Sequence, residues 1–139
     1  MHINFFLSTF LLVTIIMTVV CSAYSEKLST DELIIPDDTK NIYVHKLSTD
    51  SNSTDFLIII KDYVPLHMHA EHTETIFVLE GEGEFQKGDE RFMIEPGDYL
   101  RIPPGTPHSV KVTSLNPLKV LSVQAPEFFG LDRIPVKTP

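Results

Sequence analysis

The chain has one cysteine in 139 residues, Cys21, and it lies in an N-terminal stretch that reads as a removable signal. A mature chain from Tyr24 would hold no thiol, which excludes a disulfide framework, a cysteine nucleophile and thiolate metal sites. Cations are scarce as well: 11 Lys and Arg stand against 19 Asp and Glu, for a formal net charge of −8. The basic residues are spread along the chain, so the clustered patch that a nucleic-acid partner needs is missing. No helix-period apolar face of convincing length recurs, which leaves a membrane-surface or partner helix without support. The glycines of the central region open no helix, so no phosphate loop is implied. The length accommodates one domain.

Residues 1–23 join an apolar run, from about residue 5 to residue 20, to the small residues Cys21, Ser22 and Ala23. This pattern predicts cleavage between Ala23 and Tyr24 and a secreted or periplasmic product. The segment ahead of the run carries His2 but no Lys or Arg, and the run approaches the length of a short membrane span. An uncleaved anchor is therefore the alternative, and membrane contact follows only in that case. Val20 stands where bacterial lipoprotein signals carry a small residue, which argues against a lipid-modified Cys21. Asn52, in "NST", is a glycosylation acceptor in a host that glycosylates and otherwise a solvated turn.

Beyond this segment, short apolar runs alternate with turn signals, as expected of an all-β barrel or sandwich. Strands are predicted over 42–47, 55–63, 74–80, 84–87, 90–95, 98–103, 108–113 and 118–124. The expected organisation is an N-terminal extension over 24–40, a barrel over 41–125 and a tail over 126–139. Closure hides strand edges and points inward-facing side chains at a common axis. Gly81, Gly83, Gly88, Gly97 and Gly105 are expected where turns need positive φ.

Parity decides which polar residues share that axis. His67 and His69 are two apart and project from one face of an extended strand. Glu74 alternates with Ile76 and Val78, opposite Thr75, Phe77 and Leu79; His108 alternates with Val110 and Val112, opposite Ser109, Lys111 and Thr113. Tyr99 and Arg101 share a face opposite Leu100 and Ile102. Three imidazoles and a carboxylate facing a small core are costly without compensation, and a divalent metal supplies it. Nitrogen and oxygen donors without thiolates suit Mn, Fe, Co, Ni, Cu or Zn.

These residues also fall into a known pattern. His67-x-His69, four residues, Glu74, six residues and Gly81, followed by Gly97, five residues, Pro103-x-Gly105, two residues and His108, resembles the two motifs of the cupin superfamily. The short spacing between motifs is similar to that of compact single-domain members. Val112 departs from the family's frequent Asn at that position. The resemblance implies a double-stranded β-helix, or jelly-roll, barrel with His67, His69, Glu74 and His108 as ligands of one divalent transition metal ion. It also implies a homodimer and a small-molecule substrate or ligand. The activity it implies is oxygenase-, isomerase- or decarboxylase-like, with non-catalytic binding of a carboxylate or sugar as the alternative, and a metal-free structural barrel as a third.

Other candidates are weaker. His72 and Glu71 are the loop residues available as a catalytic acid or base; the plain alternative for His72 is an exposed side chain, and Glu71 replaces Glu74 as ligand only in a kinked loop. His45 reads as surface. Phe77, Phe92, Met93 and Leu100 are expected to line an apolar pocket, and Phe128, Phe129 and Leu131 to pack on the barrel or a neighbouring subunit.

Overall fold

The computed structural model describes residues 27–137; the expected signal segment, its cleavage position and Cys21 lie outside them. The described residues form ten strands and no helix: β1 Ile42–Thr49, β2 Thr54–Ile60, β3 Tyr63–Met68, β4 Thr73–Glu80, β5 Gly83–Lys87, β6 Glu90–Ile94, β7 Tyr99–Ile102, β8 His108–Val112, β9 Leu118–Ala125 and β10 Ile134–Pro135. Two five-stranded sheets result, ordered β1-β2-β9-β4-β7 and β10-β3-β8-β5-β6. Every pairing is antiparallel. From β2 to β5, and again from β6 to β10, each strand crosses to the other sheet, so the two sheets face each other around one core. This is the all-β barrel expected from the strand pattern, in the jelly-roll form that the motif resemblance implied.

Alternation along the strands builds that core. Ile60, Ile76, Val78, Phe85, Val110 and Leu118 are buried and mutually packed, each contributing about 1.5–3 kcal/mol relative to an exposed position. In β4 the buried residues are Glu74, Ile76 and Val78, while Phe77 is exposed. In β8 His108 and Val110 are buried and Lys111 is exposed. In β7 Leu100 and Ile102 are buried, with Tyr99 and Arg101 outside.

The predicted strand 55–63 takes in nearly all of β2 and the first residue of β3. Lys61 and Asp62 form a corner between β2 and β3, held by a distant side chain: Asn41 Oδ1 accepts from the backbone N–H of Asp62 (3.0 Å) and Tyr63 (3.2 Å), and its Nδ2 donates to Tyr63 O at 2.8 Å. That corner transfers the chain to the second sheet and makes β3 the carrier of His67.

Gly81 has the expected positive φ, +74°, and a Cβ there would meet Pro117 O at 2.5 Å. Gly83 does not follow the expectation, because it is an ordinary residue of β5; it is small because a Cβ would sit 2.9 Å from Val110 Cγ2. The tail returns across the barrel. Its β10 pairs Ile134 with Met68 and Pro135 with His67, and the backbone N–H of Phe128 donates to the buried Thr54 Oγ1 at 2.9 Å. Phe128 meets Phe56 edge-on at 6.0 Å between centroids. Phe129 and Leu131 are 74% and 89% exposed, so of the two packing partners expected for them the barrel is ruled out.

Candidate metal centre

Strand pairing brings the predicted residues together. His67 on β3 lies directly across from His108 on β8, with ring centroids 4.2 Å apart. His69 follows β3 by one residue, and Glu74 reaches in from β4 on the facing sheet. All four are buried, and one donor atom from each lies within 4.8 Å of the others. The four could hold a metal ion.

Their hydrogen bonds test that fit. His67 Nδ1 is 2.8 Å from Pro65 O, His69 Nδ1 2.6 Å from Asp132 O, and His108 Nδ1 3.0 Å from Thr106 O. A carbonyl oxygen only accepts, so each Nδ1 carries the hydrogen and donates it. In the neutral ring Nε2 is then left with a lone pair, the form that binds a metal. The Nε2 atoms of His69 and His108 are buried and have no hydrogen-bond partner. Burial depresses the His67 pKa to about 4, aided by the charges of His108 and Arg133, which favours the neutral ring.

Glu74 completes the set. Its Oε1 accepts from Ser122 Oγ at 2.5 Å, and its Oε2 lies 3.0 Å from His108 Nε2 and 3.6 Å from His69 Nε2. Burial raises its pKa; the Ser122 hydroxyl and, when they carry a proton on Nε2, the His108 and His69 rings pull it well below the usual carboxylate range, a support that the neutral rings do not give. A buried anion facing imidazole lone pairs repels them, and a bound cation removes that conflict. The donor set therefore fits a first-row divalent ion, whose identity the ligands leave open among Mn, Fe, Co, Ni, Cu and Zn.

His72 occupies a different place from the exposed side chain expected of it. It is 6% exposed, and it is absent from the cavity wall. Its Nδ1 is 2.6 Å from Asp132 Oδ2 and its Nε2 3.0 Å from Glu127 O. Both partners accept, so both nitrogens donate and the ring is an imidazolium; its pKa is raised, the carbonyl and carboxylate outweighing desolvation. Such a ring has no lone pair with which to act as a base. Glu71 is exposed and outside the ligand cluster, so the four-residue set with Glu74 stands without it.

Asp132 organises this region, and nothing in its local sequence marked it. Its carboxylate accepts from the backbone N–H of Ala70 (2.8 Å), Glu71 (2.9 Å) and His72 (3.1 Å), while its own carbonyl orients His69. Although desolvation opposes it, these bonds and His72 hold the Asp132 carboxyl well below its ordinary pKa. The tail thus fixes one candidate ligand and the loop between His69 and Glu74.

A cavity of about 360 Å³ opens on the four residues. Its walls are mainly apolar, as expected, but the residues differ: Phe56, Ile58, Ile76, Phe85 and Ile94 line it. Phe77, Phe92 and Met93 are 41%, 37% and 56% exposed instead, and Leu100 is buried in the core. Phe77 and Met93 lie on outward faces, and Phe92 sits at the open edge of its sheet.

The cupin-domain family model matches residues 56–124. An uncharacterized protein of Aquifex aeolicus (strain VF5) is 35% identical over 98 residues, 70% of this chain and 80% of that one. The chain belongs to the cupin family. Within that family, a segment of quercetin 2,3-dioxygenase from Bacillus subtilis (strain 168) is 45% identical over 53 residues, 38% of this cupin but 16% of the dioxygenase. The crystal structure of an uncharacterized conserved protein with a double-stranded β-helix domain from Klebsiella pneumoniae shares the fold of this cupin. Its TM-score is 0.67 at 23% identity, covering 76% of this chain and 94% of the other.

Proposed function

We propose that this cupin is a mononuclear metal-dependent enzyme acting on a small molecule, with His67, His69, Glu74 and His108 as the ligands. The observation that carries this reading is the set of imidazoles whose Nδ1 atoms are committed to backbone carbonyls, leaving Nε2 lone pairs around a buried carboxylate. A divalent transition metal held there would serve as Lewis acid or electron carrier toward a bound oxygen-bearing molecule. The chain's own part is to keep three rings neutral and oriented, to brace Glu74 through Ser122, and to exclude water with apolar walls. Similarity to a segment of a quercetin 2,3-dioxygenase favours oxygenase-like chemistry over isomerase- or decarboxylase-like alternatives.

A second reading is non-catalytic, metal-dependent binding of a small molecule. It is favoured by the acid–base inventory: His72 is turned to the tail and Glu71 faces solvent, so neither offers the cavity a proton donor or acceptor. Metal analysis of the purified chain with its His67→Ala and His108→Ala variants tests the shared premise. A near-stoichiometric transition metal, lost in both variants, is expected. No metal in the wild type after reloading with Mn, Fe, Co, Ni, Cu and Zn in turn would overturn both readings. Metal-dependent oxygen uptake with candidate substrates then separates enzyme from binder.

A further inference from the structure

The cavity wall contains a cation that the ligand set does not use. Arg133 lines the cavity at its solvent-exposed side, and its guanidinium takes part in no hydrogen bond or ion pair among the described residues. Glu74 is the sole carboxylate lining that cavity; it accepts from Ser122 and faces the imidazoles, and its charge reaches Arg133 without an ion pair between them. A divalent ion held by three neutral rings and one carboxylate keeps one positive charge uncompensated, and Arg133 adds a second. The charge left over on the buried ion calls for one anionic counter-charge in this apolar site, while Arg133, open to solvent, adds attraction for it. The rest of the mouth is greasy: Ile42 and Val44 line the cavity while remaining 37% and 53% exposed. Deeper in, Gln124 is 6% exposed and its Oε1 has no partner.

From the unpaired Arg133, the apolar walls and the leftover positive charge we infer that the cavity takes a small carboxylate with an apolar body, and that Arg133 is the residue that selects it. This rests on the metal-dependent reading above and names its substrate class. A guanidinium offers a planar fork that matches a carboxylate through two N–H donors. One such fork beside apolar walls suits a monoanion, whereas phosphate sites gather backbone N–H groups or several cations. The cavity size is at the small end for ligand sites, fitting a metabolite rather than a polymer. Gln124, whose amide can present either oxygen or nitrogen, is left for a polar substituent of the same molecule.

The test compares benzoate with benzamide, which share shape and differ in charge, by calorimetric titration of wild type, Arg133→Gln and Arg133→Lys. Each protein is titrated metal-free and loaded with cobalt(II), after cobalt binding itself has been measured. Wild type is expected to favour benzoate by about tenfold or more, the scale of a charge-assisted hydrogen bond. Arg133→Gln should abolish the preference while binding cobalt normally, and Arg133→Lys should keep part of it. Equal affinities in wild type, no benzoate binding at millimolar concentration, or an undiminished preference in Arg133→Gln would overturn the inference. Tighter binding of inorganic phosphate than of benzoate would overturn the carboxylate class. If wild type binds no cobalt, the metal reading fails, and the metal-free titrations still decide the role of Arg133.

Discussion

Replacing Asp132 by Ala should damage the site from a position 24 residues beyond the last of the four candidate ligands, His108. The carboxylate accepts from three consecutive backbone N–H groups and from His72. Hydrogen bonds to a charged acceptor contribute about 1.5–3 kcal/mol apiece, but they are not additive. Ala70 and Glu71 are exposed, so water takes over part of what is lost there. His72 is buried and cannot be rehydrated so readily. Together these considerations put the loss near 3 kcal/mol. Urea unfolding of the metal-free protein measures it, with Phe129→Ala as a control on the same tail; that exposed ring should matter by no more than about 0.5 kcal/mol. Cobalt affinity should also fall, by about tenfold, because the loosened tail holds the residue-132 carbonyl, which the substitution retains, less firmly against His69. A stability change under about 1 kcal/mol, or one equal to that of the control, would refute the claim that Asp132 holds the ligand loop.

Three further outcomes are expected. Ser122→Ala should weaken cobalt binding by about tenfold or more by freeing Glu74, and should lower metal-free stability by about 1.5–3 kcal/mol because a buried carboxylate loses its donor; competition against a chelator and urea unfolding read the two. Gly81→Ala should lower the thermal midpoint by several degrees, since the substitution meets both a positive φ and a backbone oxygen at 2.5 Å, a cost of about 2 kcal/mol or more. The Asp132–His72 pair should add a pH-dependent part to stability. The depressed Asp132 contributes above its unfolded pKa of 3.8 and loses its contribution as pH falls through the lower folded value. The raised His72 contributes fully below 6.5 and loses its contribution as pH rises through the higher folded value. The stability gap between wild type and Asp132→Asn should thus be widest between those limits; a gap flat from acid to alkaline pH would contradict the pairing.

Much of the site was legible because strand parity is a local rule. Two residues apart places His67 and His69 together, and alternation with Ile76 and Val110 turns Glu74 and His108 inward, whatever the rest of the chain does. The corner at Lys61–Asp62 was not legible, because the groups that satisfy its backbone come from Asn41, about twenty positions earlier, with no Gly or Pro at the bend. Asp132 escaped for the same reason, its partners being distant in sequence, and Arg133 because only the return of the tail brings it to the cavity. The cavity wall was misread where hydrophobicity was taken without parity. Phe77 lies on the face opposite Glu74, which the alternation already implied. His72 was undervalued because a histidine in a polar loop gives no sign of two acceptors waiting some sixty residues on.

The pairing of the tail with the strand that carries His67 and leads into His69 also sets an order of events during synthesis. All four candidate ligands are synthesised before residue 132, so until the tail docks His69 has no carbonyl to fix its tautomer and the loop after it has no acceptor for its amides. A metal that arrives before the tail docks meets His69 as an unfixed ring and a β3 strand still without its β10 neighbour. Selectivity that depends on geometry therefore develops late, and the ion retained is decided wherever the chain is when its tail docks.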